Sequence, residues 1–134
     1  MSSPRSAIPV GLVGAGKHGE RYLRHVVVDV PDLRLALLCR RDREAGLRQA
    51  ESCGARFVGD FRELVSSPEI EAVIAVVPPS LNPEICTLAA TAGKAILVEK
   101  PLAVSVAAGR RLRAVVERAG VPLMVAQTLR FNQV

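Results

Sequence analysis

Six short aliphatic runs recur along the chain, at residues 8–13, 33–39, 55–58, 72–77, 95–98 and 121–126, set off by glycine, proline or capping residues. Runs of this length predict strands, and their near-continuous apolar character predicts strands covered on both faces. Between them the apolar spacing changes to three and four. Residues 17–29 carry Tyr22, Leu23, Val26 and Val27, with Val30 just beyond, as one stripe of a helix. Asp42 is placed to cap a helix running to about residue 52 and stopped by Gly54. Asp60 caps a short one through residue 65, broken by Ser66-Ser67-Pro68. Ser80 or Asn82 caps the next, with Pro83 near its first position, and it ends at Gly93. Ser105 caps the last, which runs through residue 118 to Gly120. Pro31-Asp32 and Pro78-Pro79 read as turns. Strand and helix alternate from end to end, which predicts an α/β fold: a doubly wound, parallel six-stranded sheet of the Rossmann type. Residues 1–6 are polar and are expected to fray. With no repeat or linker in sight, residues 1–134 are expected to form one domain with its core at about 7–127.

The first strand-to-helix turn reads Gly14-Ala15-Gly16-Lys17-His18-Gly19, a G-x-G-x-x-G loop. Its place after a strand and before a helix gives the spacing a physical meaning. Gly14 permits the tight turn, Gly16 lets backbone approach a pyrophosphate, and Gly19 lets helix and strand pack closely. The loop N–H groups then face the phosphates, with Ala15 and Lys17 as part of the cradle. His18 is placed either to donate to a phosphate or to lie in solvent on the first helical turn. The overlapping G-x-x-x-x-G-K reading from Gly11 fails as a P-loop: the next residue is His18, where a magnesium-holding Ser or Thr belongs, and Gly11 falls inside the strand.

The second strand ends in Cys39-Arg40-Arg41-Asp42. Dinucleotide sites that take NAD place a carboxylate there for the ribose diol. Arg40, 26 positions after Gly14, instead attracts a 2′-phosphate through charge-assisted bonds, and Arg41 either does the same or lies on the adenine face. NADP is therefore the expected cofactor, with NAD possible if a shift in register brings Asp42 to the ribose.

Composition narrows the classes further. Aromatic residues make up 3% of the chain, so the core is expected to be Val, Leu, Ile and Ala. The net charge is +5, but the basic residues are dispersed and lack aromatic stacking partners, which argues against nucleic acid. The three cysteines, Cys39, Cys53 and Cys86, have no C-x-x-C spacing and lie in apolar stretches, so buried free thiols are expected, with no disulfide framework and no metal site. No run approaches the length of a membrane span and no secretory leader is visible, which predicts a cytoplasmic protein.

The fifth strand runs into Glu99-Lys100-Pro101-Leu102-Ala103. Together with the glycine loop, Val76-Val77-Pro78, Ala92-Gly93-Lys94 and Arg130-Phe131-Asn132, this resembles the glucose–fructose oxidoreductase, inositol dehydrogenase and MocA family over essentially the whole chain. The resemblance implies hydride transfer between a nicotinamide and an alcohol or carbonyl on a sugar, polyol or related small molecule. It implies that Lys100 is the catalytic residue, beside the nicotinamide and the substrate hydroxyl, and that Glu99 tethers it. Val77, Pro78 and Ser80 match positions lining the cofactor. Asn82 stands where the family often has histidine, and Arg130 matches a position near the crevice. The family carries a second domain for substrate, which this sequence lacks, so the chain is expected to bind cofactor yet turn over little. The face awaiting that domain is expected to be apolar and open to self-association. A non-catalytic NADP-binding regulatory module is the alternative, and a CoA- or nucleotide-binding domain of the same fold a more distant one.

Overall fold

The computed structural model describes residues 6–133. Six strands, β1 (Ile8–Val13), β2 (Leu33–Cys39), β3 (Arg56–Phe57), β4 (Ala72–Ala75), β5 (Ala95–Glu99) and β6 (Leu123–Ala126), form one sheet in the order β3-β2-β1-β4-β5-β6. Every pairing is parallel, as the aliphatic runs predict. The five α-helices are α1 (Gly19–Arg24), α2 (Arg43–Cys53), α3 (Phe61–Ser66), α4 (Asn82–Thr91) and α5 (Val106–Ala119).

Buried side chains fall into two layers, one on each face of the sheet. One layer joins Val10, Leu12, Leu38 and Ile74 of the strands to Val26 and to Ala50 of α2. The other joins Leu37, Val73, Ala75, Ile96 and Val98 to Leu64 of α3, Ile85, Cys86 and Ala89 of α4, and Leu112 and Val116 of α5. Gly11 sits in β1 beneath α3, where an added Cβ would lie 2.6 Å from Leu64 Cδ2. The β1–β2 ladder skips Ala36, since Val10 pairs with Leu35 and Gly11 with Leu37. This bulge turns Ala36 and Leu37 toward the same layer.

Local chemistry follows the expected signals closely. Asp42 Oδ1 accepts from Ala45 N at 3.0 Å, Asp60 Oδ1 from Arg62 N at 2.9 Å and Ser105 Oγ from Ala108 N at 3.2 Å. Gly54, Gly93 and Gly120 adopt left-handed φ of 69°, 71° and 68° after their helices, as C-terminal glycines do. The expected cap at Ser80 or Asn82 is overturned. Pro79–Leu81 forms a 3-10 turn, and neither its flanks nor the start of α4 has a side-chain cap.

The first helix also differs from its stripe. It is α-helical only to Arg24, and His25–Asp29 widens into a π-turn closed by Val30 N donating to His25 O at 2.9 Å. The wider turn rotates the following side chains off the apolar stripe. Val26 stays buried, while Val27, Val28 and Val30 are 46%, 68% and 38% exposed. Three strands are shorter than their aliphatic runs. β6 starts at Leu123 because Pro122 has no N–H for the ladder, β3 shrinks to two residues, and β4 stops at Ala75. Among the described residues no helix is long and apolar enough to cross a membrane.

Candidate functional site

A cavity of about 720 Å³ opens at the carboxyl ends of the strands. The glycine loop forms its floor, with Gly14, Gly16, Lys17, His18 and Gly19. The exit of β2 contributes Cys39, Arg40, Arg41 and Asp42. Gly59–Arg62 come from the loop into α3, and Val76, Val77 and Pro78 from the segment after β4. This is the crevice where parallel α/β sheets receive ligands.

Each loop glycine has its own reason. Gly14 holds φ +94°, and an added Cβ would meet Val76 O at 2.1 Å. An added Cβ on Gly19 would meet Gly14 O at 1.9 Å. Both are required by the protein itself. Gly16 is different: a Cβ there would meet nothing within 4 Å, and the residue lines the cavity. That space fits the diphosphate of a dinucleotide, with the loop backbone as donor and Lys17 as counter-charge.

At the exit of β2, Arg40 Nη1 donates to Gln49 Oε1 at 2.9 Å, and Gln49 Nε2 donates onward to Glu20 Oε1 at 3.3 Å. Arg40 is thus held against α2 at the cavity wall. Cys39 lies beneath it. Burial first, and then the charges of Asp60 and Glu63, push its thiol up to about 11, so it remains protonated at neutral pH. Burial does the same to Cys86, also to about 11. All three cysteines are free; Cys39 and Cys86 are buried as expected, whereas Cys53, near the end of α2, is only half-buried.

The end of β5 is joined to the glycine loop by a network that sequence reading missed. Glu99 is 9% exposed. Its Oε1 accepts from Tyr22 OH at 2.7 Å and is bonded to His18 Nε2 at 2.7 Å, while its Oε2 accepts from the Lys100 backbone N–H at 2.9 Å. The expected tether between Glu99 and Lys100 therefore runs to the Lys100 backbone. The Lys100 side chain is exposed. His18, expected at a phosphate or in solvent, has Glu99 as its partner. Burial alone would raise the Glu99 carboxyl, but the hydrogen bonds from His18, Tyr22 and the Lys100 amide outweigh it and hold the group below the usual carboxylate value. Burial, and then the bond to Glu99 and its charge, push the Tyr22 phenol up, so it stays a donor.

This depressed value has a stability consequence. The Glu99 contribution is fully present above the ordinary carboxylate range and disappears as pH falls through the lowered folded value. Glu99→Gln is expected to flatten the loss of melting temperature between pH 7 and pH 3. Identical pH slopes for the two proteins would show that the network adds nothing.

Other expected site residues stand apart from the cavity wall. Ala15 is fully buried inside the loop turn. Asn82 is 1% exposed, and its Nδ2 donates to Pro101 O and Leu102 O, both at 3.2 Å, bracing the segment after Lys100. Ser80 and Arg130 are exposed in 3-10 turns and do not line the cavity. Among the described residues no cluster of three or more His, Cys, Asp or Glu side chains could hold a metal ion.

Known proteins are similar to this chain in sequence and fold. Residues 8–127 match an oxidoreductase family with an NAD-binding Rossmann fold. The D-apiose dehydrogenase of Paraburkholderia graminis is 34% identical over 123 residues, which is 90% of this chain and 32% of that protein. A 3-ketoreductase from Actinomadura kijaniata, solved in complex with NADP and TDP-benzene, superposes with a TM-score of 0.82 at 27% identity, covering 90% of this chain and 37% of the other. A scyllo-inositol dehydrogenase from Lactobacillus casei, solved with NAD(H) and scyllo-inositol, shares the fold with a TM-score of 0.90 at 22% identity, over 96% of this chain and 38% of that one. The chain spans about a third of the length of the relatives it matches.

Proposed function

We infer the role of this chain from the family to which it belongs, the glucose–fructose oxidoreductase, inositol dehydrogenase and MocA oxidoreductases: it holds the nicotinamide dinucleotide for a dehydrogenase acting on a sugar, polyol or similar small alcohol or carbonyl. The observation that carries this reading is the open space beside Gly16, at the floor of a cavity lined from four strand ends. A glycine there has no packing reason to be a glycine. Close approach of a ligand supplies one.

The bound dinucleotide would supply the hydride chemistry. The chain's own residues bind and orient it. The loop amides and Lys17 neutralise the diphosphate, and Val77 and Pro78 give the opposite wall an apolar lining. Lys100, exposed just after β5 and outside the cavity wall, is the cation we assign to polarising a carbonyl oxygen or steadying a developing alkoxide at the adjoining mouth of the crevice. Glu99 and Asn82 hold the backbone on either side of Lys100.

Arg40 and Arg41 favour NADP. Asp42, the carboxylate that follows the two arginines, is engaged in capping α2, which supports an arginine reading of the 2′-substituent. Calorimetric titration is expected to give tighter binding of NADPH than of NADH, with the preference lost in Arg40→Asp. Tighter NADH binding would assign the ribose to Asp42 or to backbone. The three free thiols support a reducing compartment such as the cytoplasm.

A further inference from the structure

We propose that Arg62 is a third specificity-determining arginine of this site, reading the 2′-phosphate of an adenine nucleotide from the side opposite Arg40 and Arg41; this rests on the dinucleotide reading above. Strands β2 and β3 are neighbours at one edge of the sheet, so their carboxyl ends form one rim. Arg40 and Arg41 leave from β2, Arg62 stands in the first turn of α3 after β3, and all three line the same cavity. A dinucleotide whose diphosphate lies on the β1 glycine loop directs its adenosine half toward this rim, away from β4 and β5.

The carboxylates of the rim do not compete for the role. Asp42 accepts from Ala45 N, and Asp60 accepts from Arg62 N at 2.9 Å while facing Arg62 Nη1 at 3.5 Å. Each of these carboxylates already has a local partner on its Oδ1, and cations outnumber them on the wall. The Arg62 guanidinium is also held in place before any ligand arrives. Its Cζ lies 4.6 Å from the centre of the Phe61 ring, and Nη2 pairs with Glu84 Oε1 at 2.5 Å. The ion pairs at Nη2 with Glu84 and at Nη1 with Asp60 use part of its five N–H donors, and the rest remain to bind an anion. A planar guanidinium steadied by an aromatic face has less freedom to lose when a phosphate binds.

Two adenine nucleotides differing only at the 2′ position provide the test, since neither requires turnover. Titration of the whole chain with 2′,5′-ADP and with 5′-AMP is expected to show tighter binding of 2′,5′-ADP. Arg62→Gln is expected to weaken 2′,5′-ADP about tenfold, the worth of one charge-assisted contact. It should leave 5′-AMP within about twofold and, because the side chain is half exposed, leave the melting temperature unchanged. Arg62→Lys is expected to fall between, keeping charge without the fork. Equal weakening of both nucleotides, or no weakening of either, would overturn the assignment of Arg62 while leaving the dinucleotide site standing. Failure of the unaltered chain to bind either nucleotide would instead overturn the site reading itself.

Discussion

Gly16→Ala is expected to leave the domain folded and to strip it of its dinucleotide. The Cβ enters empty space, so the urea midpoint should stay within the range of an ordinary surface change, about 0.5 kcal/mol. In the proposed binding mode, that same space is where the diphosphate approaches the loop amides. Displacing it forfeits charge-assisted hydrogen bonds worth about 1.5–3 kcal/mol each, so loss of two weakens NADPH on the order of a hundredfold. Gly19→Ala makes the necessary contrast. Its Cβ would sit 1.9 Å from Gly14 O and 2.8 Å from Gly14 C, both backbone atoms that cannot swing aside. It should cost about 3 kcal/mol or more, and binding should fail with the fold. Paired denaturation and titration of the two variants separate a glycine kept for a ligand from one kept for packing. If Gly16→Ala binds as the parent does, the loop has no ligand and the proposed function falls.

Lys94→Met is expected to destabilise the fold strongly. Lys94 is 8% exposed at the entry to β5, and its Nζ donates to Ser67 O at 2.8 Å and Ile70 O at 2.6 Å. These carbonyls belong to the segment between α3 and β4, where the backbone leaves a helix and has not yet joined the sheet. Methionine keeps the aliphatic stem and deletes the donor, leaving two buried carbonyls unsatisfied. At roughly 1–3 kcal/mol each, the expected loss is about 3 kcal/mol, or roughly 10 °C in melting temperature. A loss below about 1 kcal/mol would mean that water replaces the ammonium without difficulty.

Lys94 also marks the boundary of what a sequence can reveal. The strands were legible because a buried parallel strand has an aliphatic signature of its own, and Asp42, Asp60, Ser105 and the glycines at 54, 93 and 120 were legible because capping is local chemistry. A lysine after a glycine looks like a solvated turn, and only the distant carbonyls explain its burial. The same holds at the site. The G-x-G-x-x-G spacing carries its meaning within six residues, whereas Glu99 meets His18 and Tyr22 across 81 and 77 positions. Tyr22 was further concealed by its place in an apolar helical stripe, where its ring satisfies the pattern and its hydroxyl goes unnoticed. It is the chain's single tyrosine, and that was the available signal. The π-turn at His25–Asp29 had no signal beyond three successive valines, which are stiff at χ1 and fit an ideal helix less readily than straight-chain residues do.

The strand order gives the sheet a seam. β1, β2 and β3 come from the first half of the chain and β4, β5 and β6 from the second, so within the sheet the halves meet only where β1 lies beside β4, over four residue pairs. The cavity straddles this seam, with the glycine loop on one bank and Val76–Pro78 on the other. A ligand lying across it acts as a staple: it favours the closed seam by its binding free energy, and any excursion that parts the two halves must first release it. Binding and cohesion of the two halves are one equilibrium read from two ends.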